Sequence, residues 1–196
     1  MTINFIIREC KRLMKNSALI IVDYSNDFVA DNGKLTCGEA GQQIENYIVE
    51  RIEAYNNKKQ QIFFMMDLHY EDNHYHPESK LFPPHNILGT IGRELYGKVN
   101  DIYQNILFNE HVHFLDKTRY DSFFGTPLDI MLRERGVTQL EIVGVCTDIC
   151  VLHTAISAYN LGYELFISHK GVASFNPTGH EWALTHFKNS LGAVVE

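Results

Sequence analysis

Hydrophobic and polar positions alternate along this chain in short blocks. Ala18-Leu-Ile-Ile-Val22 is continuously apolar and partly β-branched, the pattern of a strand buried on both faces. Gln61-Ile-Phe-Phe-Met-Met66 repeats it, and runs at His111–Leu115, Leu140–Val145, Glu164–Ser168 and Gly192–Val195 read as four further strands. Between them the apolar period lengthens to that of a helix. Ile44, Tyr47, Ile48, Ile52 and Tyr55 make one stripe in a helix expected over 38–58. Thr126 and Pro127 suit the start of a helix that Gly136 stops, with Leu128, Met131 and Leu132 facing inward. Another helix opens at Asp148 or Ile149, runs through Ala158 and ends near Gly162. Thr178 with Glu181 three residues on forms a capping box for the last.

Strands alternating with helices predict an α/β fold: a three-layer sandwich with a six-stranded, mainly parallel sheet and helices on both faces. The chain has 196 residues, 45% hydrophobic and 21% charged, which suits a single domain over residues 18–196. Residues 1–17 read as an N-terminal extension. The apolar block Ile3–Ile7 is interrupted by Asn4, stopped by Arg8 and followed by basic residues, the reverse of a signal peptide, and Met14 is an alternative start. A net charge of −7 offers no basic surface for nucleic acid or an anionic membrane. Ala18–Val22, the longest apolar run near the start, has a strand's length and not a bilayer's. Cys10, Cys37, Cys146 and Cys150 include no CxxC pair and make no disulfide framework, so free thiols in a reducing cytoplasm are expected.

In open α/β sheets ligands bind beyond the carboxyl ends of the strands. Asp23 follows the first strand, Asp67-Leu-His69 the second and Lys117 the third, while Cys150 opens the helix after the fourth. A thiol at a helix N-terminus is expected to have a lowered pKa and nucleophilic character, though without such neighbours free cysteine is more often a small core residue. A carboxylate beside it can take its proton and return it to a leaving amine, and a lysine beside both would keep the carboxylate ionised. Taken singly, Asp23 and Lys117 are the kind of residues that form ordinary ion pairs.

The long irregular stretch from His69 to Gly92 carries His69, His74, His76 and His85. Asp67 and His69 share one face of an extended chain, and with His85 they make a donor set suited to Zn²⁺, Fe²⁺ or Mn²⁺. Glu78 and His76 compete for a further position, and a merely solvated His-rich loop is the alternative. Cys146 and Cys150 could instead form a redox pair, although the spacing is poor for it. No GxGxxG or phosphate-binding loop occurs.

The stretches Leu19-Ile-Ile-Val-Asp-Tyr-Ser-Asn-Asp-Phe28, Asp67-Leu-His69, Phe82-Pro-Pro-His85, Lys117-Thr-Arg-Tyr-Asp-Ser-Phe123 and Gly144-Val-Cys-Thr-Asp-Ile-Cys-Val-Leu-His-Thr-Ala155 resemble the isochorismatase-like cysteine hydrolases, in the nicotinamidase branch. The resemblance implies hydrolysis of nicotinamide to nicotinate and ammonia through a cysteine thioester, in NAD salvage. It implies Cys150 as nucleophile, Asp23 as proton shuttle and Lys117 as third member of the triad. Asp67, His69 and His85 would be ligands of one divalent ion, zinc first, with iron or manganese accepted by the same set. The fourth ligand is placed at Glu78, with His76 in reserve. A cis bond between Val145 and Cys146 is implied, with the amides of Cys146 and Cys150 as oxyanion hole. Phe28, Phe82 and Tyr120 would wall the substrate pocket, Phe82 replacing a tryptophan common in relatives. Relatives are often homo-oligomers. Another small-amide or pyrazinamide-type amidase, or a non-catalytic metal- or ligand-binding relative, are the rival readings.

Overall fold

A computed structural model describes residues 16–196. The N-terminal extension, up to residue 15, and Cys10 lie outside the described residues. Seven strands form one sheet: β1 (Ser17–Val22), β2 (Gln61–Asp67), β3 (Val112–Lys117), β4 (Gln139–Val145), β5 (Glu164–Ile167), β6 (Val172–Ala173) and β7 (Val194–Val195). Their order is β3-β2-β1-β4-β5-β7, with β6 added to the end of β4, and every pairing is parallel. The six strands expected are present, and two-residue β6 is an addition. Ser17, assigned above to the extension, is the first residue of β1.

The helices are α1 (Asn26–Val29), α2 (Glu39–Gln43), α3 (Glu45–Asn57), α4 (Gly97–Ile106), α5 (Leu128–Glu134), α6 (Cys150–Asn160) and α7 (Pro177–Ser190). Alternation along β1 separates two cores. Ala18, Ile20 and Val22 meet Leu128, Leu132, Val151, Ala155 and Phe187 from α5, α6 and α7. Leu19 and Ile21 meet Ile48, Ile52, Val99 and Ile106 from α3 and α4 on the opposite face. All six residues of β1 are therefore buried, as its unbroken apolar run requires.

Four local expectations need correction. The helix expected over 38–58 is two helices joined at Ile44, the flanking residue of both. Helix α4 was not anticipated, because its Gly97, Asn100, Asp101 and Asn105 are weak helix formers and tertiary packing of Val99 and Ile106 supplies the order. The last helix is capped by Asn176, whose side chain accepts the Gly179 N–H at 3.1 Å, and not by Thr178. The helix expected to have Pro127 at its first position starts one residue later, at Leu128, with Pro127 in the capping position, although the Thr126 hydroxyl does accept the Leu128 N–H at 3.3 Å.

Strand order reverses between β1, which pairs with β2, and β4, the point where such sheets open a crevice. Gly144 makes that junction possible. It sits at φ +115 opposite Val22, and a Cβ there would lie 2.0 Å from the Val22 carbonyl oxygen. Among the described residues no helix is long and apolar enough to cross a membrane.

Candidate active site

The register of the sheet assembles the site. Asp67 and Lys117 are the last residues of β2 and β3 and are direct partners, and the Asp23 N–H donates to Met65 O at 3.0 Å. Asp23, just past β1, therefore stands in a row with both. Its backbone adopts φ +52, a left-handed turn that aspartate tolerates better than most residues. Its carboxylate Oδ1 accepts the Asp67 N–H at 2.8 Å.

Lys117 is the hub. Its Nζ lies 2.6 Å from Asp23 Oδ2, 3.6 Å from Asp67 Oδ1 and 3.8 Å from Cys150 Sγ, and it donates to Arg119 O at 3.1 Å. Both the Lys117 and Asp23 side chains are fully buried. Cys150 is the first residue of α6, and the cis bond between Val145 and Cys146 lies just upstream. Residues far apart in sequence are thus brought together as expected.

Their electrostatics differ from the expectation in one respect. Burial pushes the Cys150 thiol well above the usual cysteine range, against the pull of Lys117 and with the help of Asp23 and Asp67. The shift is upward and not the lowering expected at a helix N-terminus, because desolvation of the anion is its largest cause. Burial also pushes the Asp23 carboxyl up to about 6, although Lys117 pulls it down. Burial opposes charge on Lys117, but Asp23, Cys150 and Asp67 hold its pKa well above the usual lysine range. The site thus sets a lysine cation beside a thiol and a carboxyl whose pKa values burial has raised.

Beside this triad, ligand atoms of Asp67, His69, Glu78 and His85 lie within 4.8 Å of one another, all four residues buried. His85 Nε2 stands 3.5 Å from both Asp67 Oδ2 and Glu78 Oε2. Two ligands on a tetrahedral zinc, at about 2.1 Å from it, are separated by about 3.4 Å. His85 Nε2 and Asp67 Oδ1 have no hydrogen-bond partner, while His85 Nδ1 lies 2.8 Å from the Pro83 carbonyl, the contact that frees the far nitrogen for a ligand. The residues present therefore fit a divalent ion. His69 Nε2 lies closer, 2.6 Å from Asp67 Oδ2. Burial disfavours a charged His85, but the two carboxylates outweigh it and push its pKa up to about 10. Burial likewise would raise Asp67, yet Lys117 and the two imidazoles hold it well below the usual carboxylate range.

His76, the reserve candidate, is buried but differently engaged. Its Nε2 lies 2.6 Å from Thr118 O, and its Nδ1 accepts the Glu78 N–H at 3.3 Å. Its ring packs on His69 with centroids 4.4 Å apart. Of the three expected wall residues, Phe82 lines a cavity of about 250 Å³ with His69, Glu78 and His85, while Phe28 and Tyr120 do not. The Phe28 ring packs against His85 at 5.5 Å, and Tyr120 against His153 at 5.3 Å. Burial, then Glu78 and Cys150, push the Tyr120 phenol up to about 12, which places it in the field of both the triad and the carboxylates. Asp27, Asn86 and Arg93 also engage this region and were not singled out from sequence. Arg93 Nε donates to the Asp67 carbonyl at 3.0 Å from the end of a short 3-10 turn, a position that carries no local signal.

The chain is similar to known proteins over most of its length. A family model described as the isochorismatase domain matches residues 17–196. The nicotinamidase SaPncA of Staphylococcus aureus is 60% identical, with a TM-score of 0.82, covering 93% of this chain and 99% of its own. The nicotinamidase/pyrazinamidase PncA of Bacillus subtilis is 53% identical, with a TM-score of 0.91 over 93% of this chain and 99% of its own. A pyrazinamidase of Pyrococcus horikoshii, solved in complex with zinc, is 28% identical with a TM-score of 0.80 over 92% and 98% of the two chains.

Proposed function

The chain belongs to the isochorismatase family, and from that premise we propose that it is a nicotinamidase, hydrolysing nicotinamide to nicotinate and ammonia in NAD salvage in the cytoplasm. The observation that carries this reading is Lys117 Nζ held 2.6 Å from Asp23 Oδ2 and 3.8 Å from Cys150 Sγ, beside a four-donor group.

Cys150 Sγ attacks the carboxamide carbon as its proton passes to Asp23, which is ionised above about pH 6. Lys117, 3.8 Å from the sulfur, offsets the negative charge that develops there as the proton leaves. The amides of Cys146 and Cys150 hold the oxyanion, contacts worth roughly 2.7–4 kcal/mol each in comparable sites. Asp23 returns the proton to the amide nitrogen, ammonia leaves and a thioester remains on Cys150. Water then attacks the thioester carbon while Asp23 takes its proton. Collapse expels the sulfur, which takes back the Asp23 proton to restore the thiol, and the acid formed leaves as nicotinate with its own proton lost to solvent. Asp67, His69, Glu78 and His85 would hold one divalent ion, zinc in our reading, that when bound orients the pyridine ring as a Lewis acid. Phe28, Phe82 and Tyr120 are assigned to the aromatic surroundings of that ring.

Hydrolysis of a substrate panel tests the reading. Metal-loaded protein should release ammonia and nicotinate in equal amounts from nicotinamide, and accept pyrazinamide, at higher kcat/KM than any N-carbamoyl compound. Preference for the carbamoyl compound, or inertness toward nicotinamide, would overturn it.

A further inference from the structure

His85 sits on a loop, so something must fix it against His69. On one side the loop pairs with the end of β2: the His69 N–H donates to Asn86 O at 3.1 Å and the Leu88 N–H to His69 O at 3.0 Å. On the other side, buried Asp27 on α1 accepts the Asn86 N–H through Oδ2 at 2.7 Å, a short hydrogen bond to a carboxylate. Ser25 Oγ donates to Asn86 Oδ1 at 2.8 Å. Asn86 is fully buried at φ +45, and its N–H, C=O and side-chain Oδ1 are held by residues near the ends of β1 and β2, while its Nδ2 has no hydrogen-bond partner. Asp27 is itself seated tightly, for a Cβ on Gly92 would lie 2.3 Å from its Oδ2.

We propose that Asp27 and Asn86 form a clamp that positions His85 for metal binding, tying the loop of that ligand to the turn that carries Asp23. The inference rests on the reading of Asp67, His69, Glu78 and His85 as a metal site. A metal ligand needs placement within about 0.5 Å, which a loop alone does not provide. Asp27 and Asn86 are positioning residues and touch neither metal nor substrate.

Zinc affinity, by competition with a chromophoric chelator, and the visible spectrum of the cobalt-loaded protein test the clamp independently of turnover. Asp27→Ala should weaken zinc binding about 10–100-fold and alter the cobalt spectrum, as loss of an outer-shell partner does. Asp27→Asn, whose carbonyl oxygen still accepts the Asn86 N–H, should recover most of the affinity. Gly92→Ala, which displaces the carboxylate without removing it, should mimic Asp27→Ala and decides the matter if that variant fails to fold. Wild-type affinity and spectrum in Asp27→Ala or Gly92→Ala would overturn the clamp. Wild-type protein that binds zinc yet leaves nicotinamide intact would overturn the proposed function and leave the clamp standing.

Discussion

Lys117 Nζ lies 2.6 Å from Asp23 Oδ2, with both side chains sealed from solvent. The pair is asymmetric in its response to burial. Lysine stays charged because three anionic or acidic groups face it, whereas Asp23 is left with a pKa of about 6. Asp23 must be ionised to take the thiol proton, so the active form exists above that value and is lost as pH falls through it. For metal-saturated enzyme kcat/KM should drop about tenfold per unit below pH 6, the slope of a single proton. Asp23→Asn should lower turnover about 10²–10⁴-fold at every pH. A profile flat to pH 5 would remove Asp23 as the base.

Metal dependence distinguishes Glu78 from His76. Dialysis against a chelator should abolish activity, and a divalent metal should restore it. Glu78 Oε2 faces His85 Nε2 at 3.5 Å, while both His76 nitrogens have partners in the protein. Glu78→Ala should therefore reduce metal occupancy more than His76→Ala, measured by elemental analysis of purified protein. The opposite ranking would give the fourth position to His76.

Stability rests partly on an ion pair far from this chemistry. Glu141, buried in the first half of β4, receives Arg51 Nε at 2.7 Å and a second guanidinium nitrogen at 2.8 Å. Arg51→Ala would remove the cation from a buried carboxylate that the Tyr47 hydroxyl reaches only at 3.4 Å, a loss of about 3 kcal/mol that lowers Tm by about 6–12 °C in a chain this size. Activity measured well below the transition should be unchanged. An unaltered melting temperature would show the pair to be unimportant.

The sequence made the sheet legible because β1 and β2 are apolar without interruption, a pattern that parallel strands covered on both faces impose. It made the strand-end chemistry legible because Asp23, Asp67, Lys117 and Cys150 each lie within a few residues of such a run. Helix α4 escaped because its order comes from packing and not from the propensities of Gly97, Asn100, Asp101 and Asn105. The role of His76 depends on Thr118 O, more than forty residues away, so no local pattern could distinguish it from Glu78. The direction of the Cys150 shift depends on how much solvent the folded site excludes, which a helix start alone does not reveal. Asp27 and Asn86 were silent for a like reason: their hydrogen bond joins α1 to a loop 59 residues away.

Covalent catalysis by Cys150 is the centre of the account. The most direct measurement is ammonia release from nicotinamide by wild-type protein and by Cys150→Ala, each loaded with the same metal and shown to bind nicotinamide. The account predicts steady release by the first and none by the second, with metal content and nicotinamide binding retained. Ammonia release by Cys150→Ala at a rate near that of the wild type would contradict it.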